Sequence, residues 1–177
     1  MPHKVGPILI DAEAIARRVR ALGAELADTY AGREPVLVAV MKGCVLFLAD
    51  LVRAWPGPMD LEFVTAASYQ GTEPGEIRLA VPDGFACRVA GRPVVVVDDI
   101  FDTGATLAAV CRAVREMGAA EVRTVVLLRK RHLGVVPPEC EPDWVGFEIE
   151  DRFVVGYGLD LGGRYRNLPH VSALGEG

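Results

Sequence analysis

The chain has 177 residues, 51% hydrophobic and 24% charged, with a formal net charge of -5. That length supports one sizeable core and a single domain over residues 1–177, and the acidic balance argues against nucleic acid as a partner. A membrane is excluded as well, because no stretch reaches the roughly 20 apolar residues of a spanning helix and the start MPHKVGPILID lacks the apolar centre of a signal peptide.

Residues 11–31, DAEAIARRVRALGAELADTYA, carry Ile15, Val19, Leu22, Leu26 and Tyr30 at helical spacing, with Asp11 as cap and Gly32 as stop. VLVAV at 36–40 is a continuous apolar run, as in a strand covered on both faces. MKGC makes the turn, and VLFLADLVRAW from 45 is the helix that returns over the sheet. DLEFVTAAS at 60–68 is the next strand, and the polar YQGTEPGE at 69–76 reads as a mobile loop. IRLAV predicts a short strand and PDGFACRVAGRP a turn region. VVVVDD is a second apolar strand, followed by a turn and the helix ATLAAVCRAVREMG; EVRTVVLLRK is a third such strand. WVGFEIE and FVVGYGLD are further strand candidates. Strands alternating with helices imply an α/β fold with a mostly parallel sheet and helices on both faces. Four cysteines without a CxxC pair read as free thiols of a cytoplasmic protein, and the widely separated His3, His132 and His170 give no metal-ligand spacing.

The stretch VVVVDDIFDTGATL, residues 94–107, places the chemistry. Open α/β sheets bind ligands beyond the carboxyl ends of their strands, and Asp98 and Asp99 stand at such an end. In the DTGAT that follows, Gly104 lets the backbone approach a ligand, the helix start offers unpaired N–H groups, and Thr103 and Thr106 add hydroxyls. A phosphate cradle beside two carboxylates suits a ribose 5-phosphate, with the carboxylates taking the vicinal hydroxyls or Mg²⁺ through water. Singly, Asp98 and Asp99 would end a strand and Asp102 would cap a helix. Three carboxylates within five positions after a doubly buried strand turn the balance toward a site.

VVVVDDIFDTGATL closely resembles the 5-phosphoribosyl-1-pyrophosphate signature of the type I phosphoribosyltransferases. VLVAVMKGCVLFLADL, FVTAASY, LLRKR and DWVGFEIEDRFVVGYGLD resemble the pyrophosphate loop, the lid and the purine-binding segments of the hypoxanthine-guanine branch, over about residues 11–171. The resemblance implies the family fold, with a small hood formed by the terminal segments. It implies Mg²⁺-dependent transfer of a phosphoribosyl group to N9 of a 6-oxopurine, and a homodimer or homotetramer. Asp98 and Asp99 would hold the ribose hydroxyls and a Mg²⁺, Asp102 would be general base near purine N7, and Thr103, Gly104, Ala105 and Thr106 would bind the 5-phosphate.

Lys42 and Gly43 would bind pyrophosphate through a cis Lys42–Gly43 peptide, joined by Arg166; without the resemblance Lys42 is a solvated loop lysine and Arg166 a tail arginine. Lys130 would donate to the purine 6-oxo group, Phe153 would stack on the base, and the Val154 backbone would meet its Watson–Crick edge. By pattern alone Lys130 is a strand-end charge and Phe153 a core residue. Asp160 would lie near the base 2-position and a second Mg²⁺, and Ser68 and Tyr69 would ride on the lid. Cys44 beside the turn reads as a small buried side chain more readily than as a nucleophile, having no paired histidine. The short lid and the few basic residues in RHLGVVPPEC depart from some relatives. Three rivals stand beside this one: a phosphoribosyltransferase-fold regulator that binds RNA, an enzyme preferring xanthine, and a phospho-accepting receiver domain.

Overall fold

The computed structural model describes residues 5–68, 77–131 and 141–175. In chain order the elements are β1 (Val5–Ile10), α1 (Ala12–Thr29), β2 (Val36–Met41), α2 (Val45–Ala54), β3 (Asp60–Ser68), β4 (Ile77–Ala80), α3 (Phe85–Val89), β5 (Pro93–Phe101), α4 (Ala105–Glu116), β6 (Glu121–Arg131), β7 (Trp144–Glu150), β8 (Val154–Val155) and β9 (Val171–Leu174). Six strands form one sheet in the order β4-β3-β2-β5-β6-β7. All its neighbours run parallel except β4, which is antiparallel to β3. β1, β9 and β8 make a separate antiparallel sheet, the hood.

Apolar runs in β2 and β5 are continuous because both faces of the sheet are covered. Leu37, Ala39, Val95 and Val97 pack with α1 and α2 residues such as Leu22, Leu26, Phe47 and Leu51. Val36, Val38, Val94 and Val96 pack on the other face with Phe85 and Val89 of α3 and Val110 and Val114 of α4. Burying whole strands in this way supplies the main driving force, at about 25 cal/mol per Å² of apolar surface. α1 buries Ile15, Val19, Leu22 and Leu26 as its spacing predicts, and the Asp11 carboxylate caps it by accepting from the Ala14 N–H at 2.7 Å. No described helix is long and apolar enough to cross a membrane.

Four details differ from the sequence-based expectations. The turn region after β4 contains the short helix α3. The FVVGYGLD segment contributes only Val154–Val155 as strand, and these join the hood, not the main sheet. β5 does not end at Asp99 but runs to Phe101, because β6 continues alongside it as far as the Phe101–Arg129 pair. The cis peptide is Met41–Lys42, one position before Lys42–Gly43, so it falls where β2 ends.

Candidate active site

Strand order fixes where the site must be. From β2 the chain goes to β3 on one side, whereas β5 lies on the other and continues to β6 and β7. The order therefore reverses between β2 and β5, and a crevice opens beyond their carboxyl ends. Met41 and Gly43 from the end of β2, with Asp98, Asp99, Asp102, Thr103, Gly104, Ala105 and Thr106 from β5 and its turn, line a cleft there of about 240 Å³. A second cleft of about 260 Å³ lies toward the hood, lined by Asp99, Ile100, Asp102, Lys130, Phe153, Val154, Leu159 and Asp160. The two share Asp99, Ile100 and Asp102 as a common wall.

In the first cleft, Asp98 is buried, and its Oδ1 accepts from the Asp99 N–H at 3.0 Å. Burial, then the neighbouring Asp99 charge, raise the Asp98 carboxyl well above the usual carboxylate range. Burial likewise raises Asp99, against hydrogen bonds and the Arg166 charge that lower it. Two carboxylates in this state lack compensating charge, and oxygen-ligand cations are the partners that supply it. Among the described residues no group of three or more His, Cys, Asp or Glu side chains converges as a metal cage. The pair instead fits Mg²⁺, which takes one or two carboxylates and completes its shell with water and substrate oxygens.

Gly104 adopts φ +80° and opens α4 without a side-chain cap, so Asp102 is not that helix's cap. Thr103 Oγ1 lies 3.4 Å from the Ala105 N–H, which donates to it. The result is a small-residue turn with N–H groups at a helix start, suited to an anion. Gly43 matters for a different reason. A β-carbon there would overlap the Asp99 carboxylate, so the turn after β2 approaches Asp99 only as glycine. Lys42 is exposed between the two lining residues. Cys44 is buried, and its thiol is raised by burial and then by the Asp98 and Asp99 charges, the opposite of an activated nucleophile.

The second cleft is built from ion pairs. The Lys130 ammonium lies 2.9 Å from Asp102 Oδ2 and 3.2 Å from Asp151 Oδ1. Burial lowers its pKa, but donation to Asp102 and the pairing with Asp151 outweigh this and leave it raised, so the side chain stays charged. Arg166 pairs with Asp160 at 2.5 Å and also donates to the Gly158 carbonyl. Asp160 Oδ2 further accepts from the Gly163 N–H at 2.6 Å. Phe153 is 51% exposed, open for a flat ligand to cover and not the core residue its pattern alone suggests. Tyr157 ties this segment to α2 by donating to Asp50 at 2.5 Å.

Thus most of the sequence-predicted residues gather as two adjoining sets, while Lys42 and Arg166 stand beside the linings and not in them. Ser68 closes β3 opposite Ile77, and Tyr69 lies outside the described residues, as do 132–140 of RHLGVVPPEC. Sequence reasoning missed Asp151, Met41, Ile100 and Leu159. All four fall inside or next to the quoted segments, but nothing in their type singles them out. A larger groove of about 510 Å³ between the start of α1 and β7 is lined by Asp11, Glu148, Glu150 and Arg152 among others. Those charged groups are engaged with one another, with the α1 cap or with the arginines of β6, so the groove lacks the poised groups of the two clefts.

This pairing of a small-residue turn at a helix start with a second cleft that holds a cation and an exposed ring defines a class. A family model for the phosphoribosyl transferase domain matches residues 8–161. The chain is 34% identical over 174 residues to the hypoxanthine-guanine phosphoribosyltransferase of Bacillus subtilis, covering 98% of this chain and 96% of that one. Its structure is similar to a hypoxanthine phosphoribosyltransferase from Staphylococcus aureus, with TM-score 0.86, 32% identity and coverage of 97% and 92%. It is also similar to the Trypanosoma cruzi hypoxanthine phosphoribosyltransferase in complex with its product IMP, with TM-score 0.87, 34% identity and coverage of 97% and 95%. The chain belongs to the phosphoribosyltransferase family, in its hypoxanthine-guanine branch.

Proposed function

We propose that this chain acts as a single-domain purine-salvage enzyme. It converts hypoxanthine or guanine and 5-phosphoribosyl-1-pyrophosphate to IMP or GMP and pyrophosphate. The observation that carries this is the common wall of the two clefts. Asp99 and Asp102 face both a phosphate turn and a cleft that holds a buried cation beside an exposed aromatic ring.

In this mechanism the 103–106 turn holds the 5-phosphate, and Asp98 and Asp99 orient the ribose hydroxyls. The same two carboxylates, and Asp160 on the hood side, are the groups that would hold Mg²⁺, whose charge would offset that of the departing pyrophosphate. Lys42, Gly43 and Arg166 serve the pyrophosphate. Cleavage of the anomeric bond leaves positive charge on the sugar, and the nearby carboxylates stabilise it where it develops. Lys130 donates to the 6-oxo group, Phe153 stacks, and the Val154 backbone meets the base edge. A 6-amino base would offer Lys130 a donor in place of an acceptor, so 6-oxopurines are selected. Asp102 lies against both clefts and takes or shares the N7 proton as the N9 bond forms. Ser68 and Tyr69 ride on the lid that excludes water.

The free thiols at Cys44, Cys87 and Cys111 support a reducing cytoplasm as its compartment. A homodimer or homotetramer is the expected assembly, which sedimentation velocity measures. The decisive assay is a purine panel with the phosphoribosyl donor, with and without Mg²⁺. Formation of IMP or GMP only with metal is the expected result. No nucleotide from any 6-oxopurine would overturn the assignment.

A further inference from the structure

Lys130 stands near the end of β6, between β5 and β7, and its side chain is only 11% exposed. One carboxylate reaches it from each flank: Asp102 from the turn after β5 at 2.9 Å, and Asp151 from the turn after β7 at 3.2 Å. The two are not equivalent. Asp102 lines the second cleft together with Lys130, whereas Asp151 stands outside that lining and reaches the ammonium from behind it.

An ammonium has three N–H donors and no acceptor. With one donor on Asp102 and the ammonium also drawn toward Asp151 by an ion pair, the direction left to the remaining donor is restricted. It must complete the tetrahedron, and the cleft is the open side. A lysine gripped by Asp102 alone could still turn on its flexible stem, because a single contact fixes neither the torsion about the terminal bond nor the remaining donors. We infer that Asp151 is a positioning residue for substrate selection: it clamps Lys130 from behind so that one N–H points at an acceptor oxygen on the incoming base. This rests on the reading of Lys130 as the purine-binding cation.

The consequence is specific to one substrate. Asp151→Ala should raise the KM for hypoxanthine about three- to tenfold, the effect of loosening one partly exposed charged hydrogen bond. It should leave kcat and the KM for the phosphoribosyl donor near the parent values. Asp151→Asn keeps an acceptor oxygen at the same place and should restore part of the loss.

The test is a double-mutant cycle on the full chain, with Lys130→Ala, Asp151→Ala and both together, each checked for parental melting. The expected result is that Lys130→Ala raises the hypoxanthine KM and that Asp151→Ala then adds nothing. Two results would overturn the inference: a normal hypoxanthine KM in Asp151→Ala, or the same Asp151→Ala effect with and without Lys130. A normal hypoxanthine KM in Lys130→Ala is distinguishable from both, because it removes the base-site reading itself.

Discussion

The two clefts share a wall but handle charge in opposite ways. In the second cleft the acids other than the shared Asp99 each have a cation: Asp102 has Lys130, and Asp160 has Arg166. In the first cleft Asp98 and Asp99 are adjacent and desolvated, and for Asp99 hydrogen bonds and then the Arg166 charge only partly offset the burial. One cleft is neutralised in advance and suits an uncharged, flat base. The other stores repulsion that, under the proposed function, a metal and a polyhydroxyl sugar would relieve on binding. Strain of this kind lowers the stability of the empty protein and returns it as affinity.

The largest expected effect probes the wall common to both. Asp102→Asn removes the proposed base but keeps the shape, and should lower kcat with hypoxanthine by about 10²–10⁴-fold while the donor KM changes little. The Asp102–Lys130 pair involves a carboxylate that is 48% exposed, so the melting temperature should stay close to the parent's. Steady-state kinetics with a thermal melt checks both, and a parental kcat would leave Asp102 a structural residue.

Next comes a change introduced from the donor side. Gly43→Ala puts a β-carbon onto the Asp99 carboxylate. Displacement of a site group by about 1 Å can cost about 100-fold. The loss should appear as weaker use of the phosphoribosyl donor, while a purine analogue still binds in calorimetry with nearly unchanged affinity. Equal losses on both ligands would show that the two clefts do not separate.

The smallest effect has the opposite sign. Because burial raises the carboxyl of Asp98, its protonated form favours the folded state, and that contribution fades as pH climbs through the raised value. At neutral pH and without metal, Asp98→Asn should therefore stabilise the protein by about 0.5–2 kcal/mol, at roughly 2–4 °C of melting temperature per kcal/mol. The gain should shrink as pH falls toward the ordinary carboxylate range, while activity is lost at every pH. A variant that melts lower than the parent at neutral pH would contradict the picture of stored repulsion.

What was legible in the sequence was what local pattern can carry. The runs 36–40, 94–97 and 124–128 announced doubly covered strands, and Ile15 to Tyr30 announced a helix face. The DDxxDTGAT cluster announced its turn because carboxylates, glycine and hydroxyls meet there within a few residues. The hood sheet was not legible in pattern, since Val5–Ile10 pairs with a strand about 160 residues away and contains both Gly6 and Pro7. α3 was missed because five residues between Gly84 and Gly91 give too short a period to detect. Asp151 resembles any acid in a turn; its significance depends on Lys130, which only strand pairing brings within 3.2 Å. Gly43 was quoted as a ligand residue, whereas its crowding against Asp99 belongs to the fold alone.

Strand order has one more consequence, and it concerns stereochemistry. Along the edge of the sheet the loop after β2, the end of β5 and the end of β6 follow one another as consecutive stations. Under the proposed reaction these carry the leaving pyrophosphate, the pentose and the purine. The pentose is thus flanked by nucleophile and leaving group on opposite sides. Under that same reading, departure toward β2 and attack from β6 would take opposite faces of the pentose, which predicts inversion at the anomeric centre.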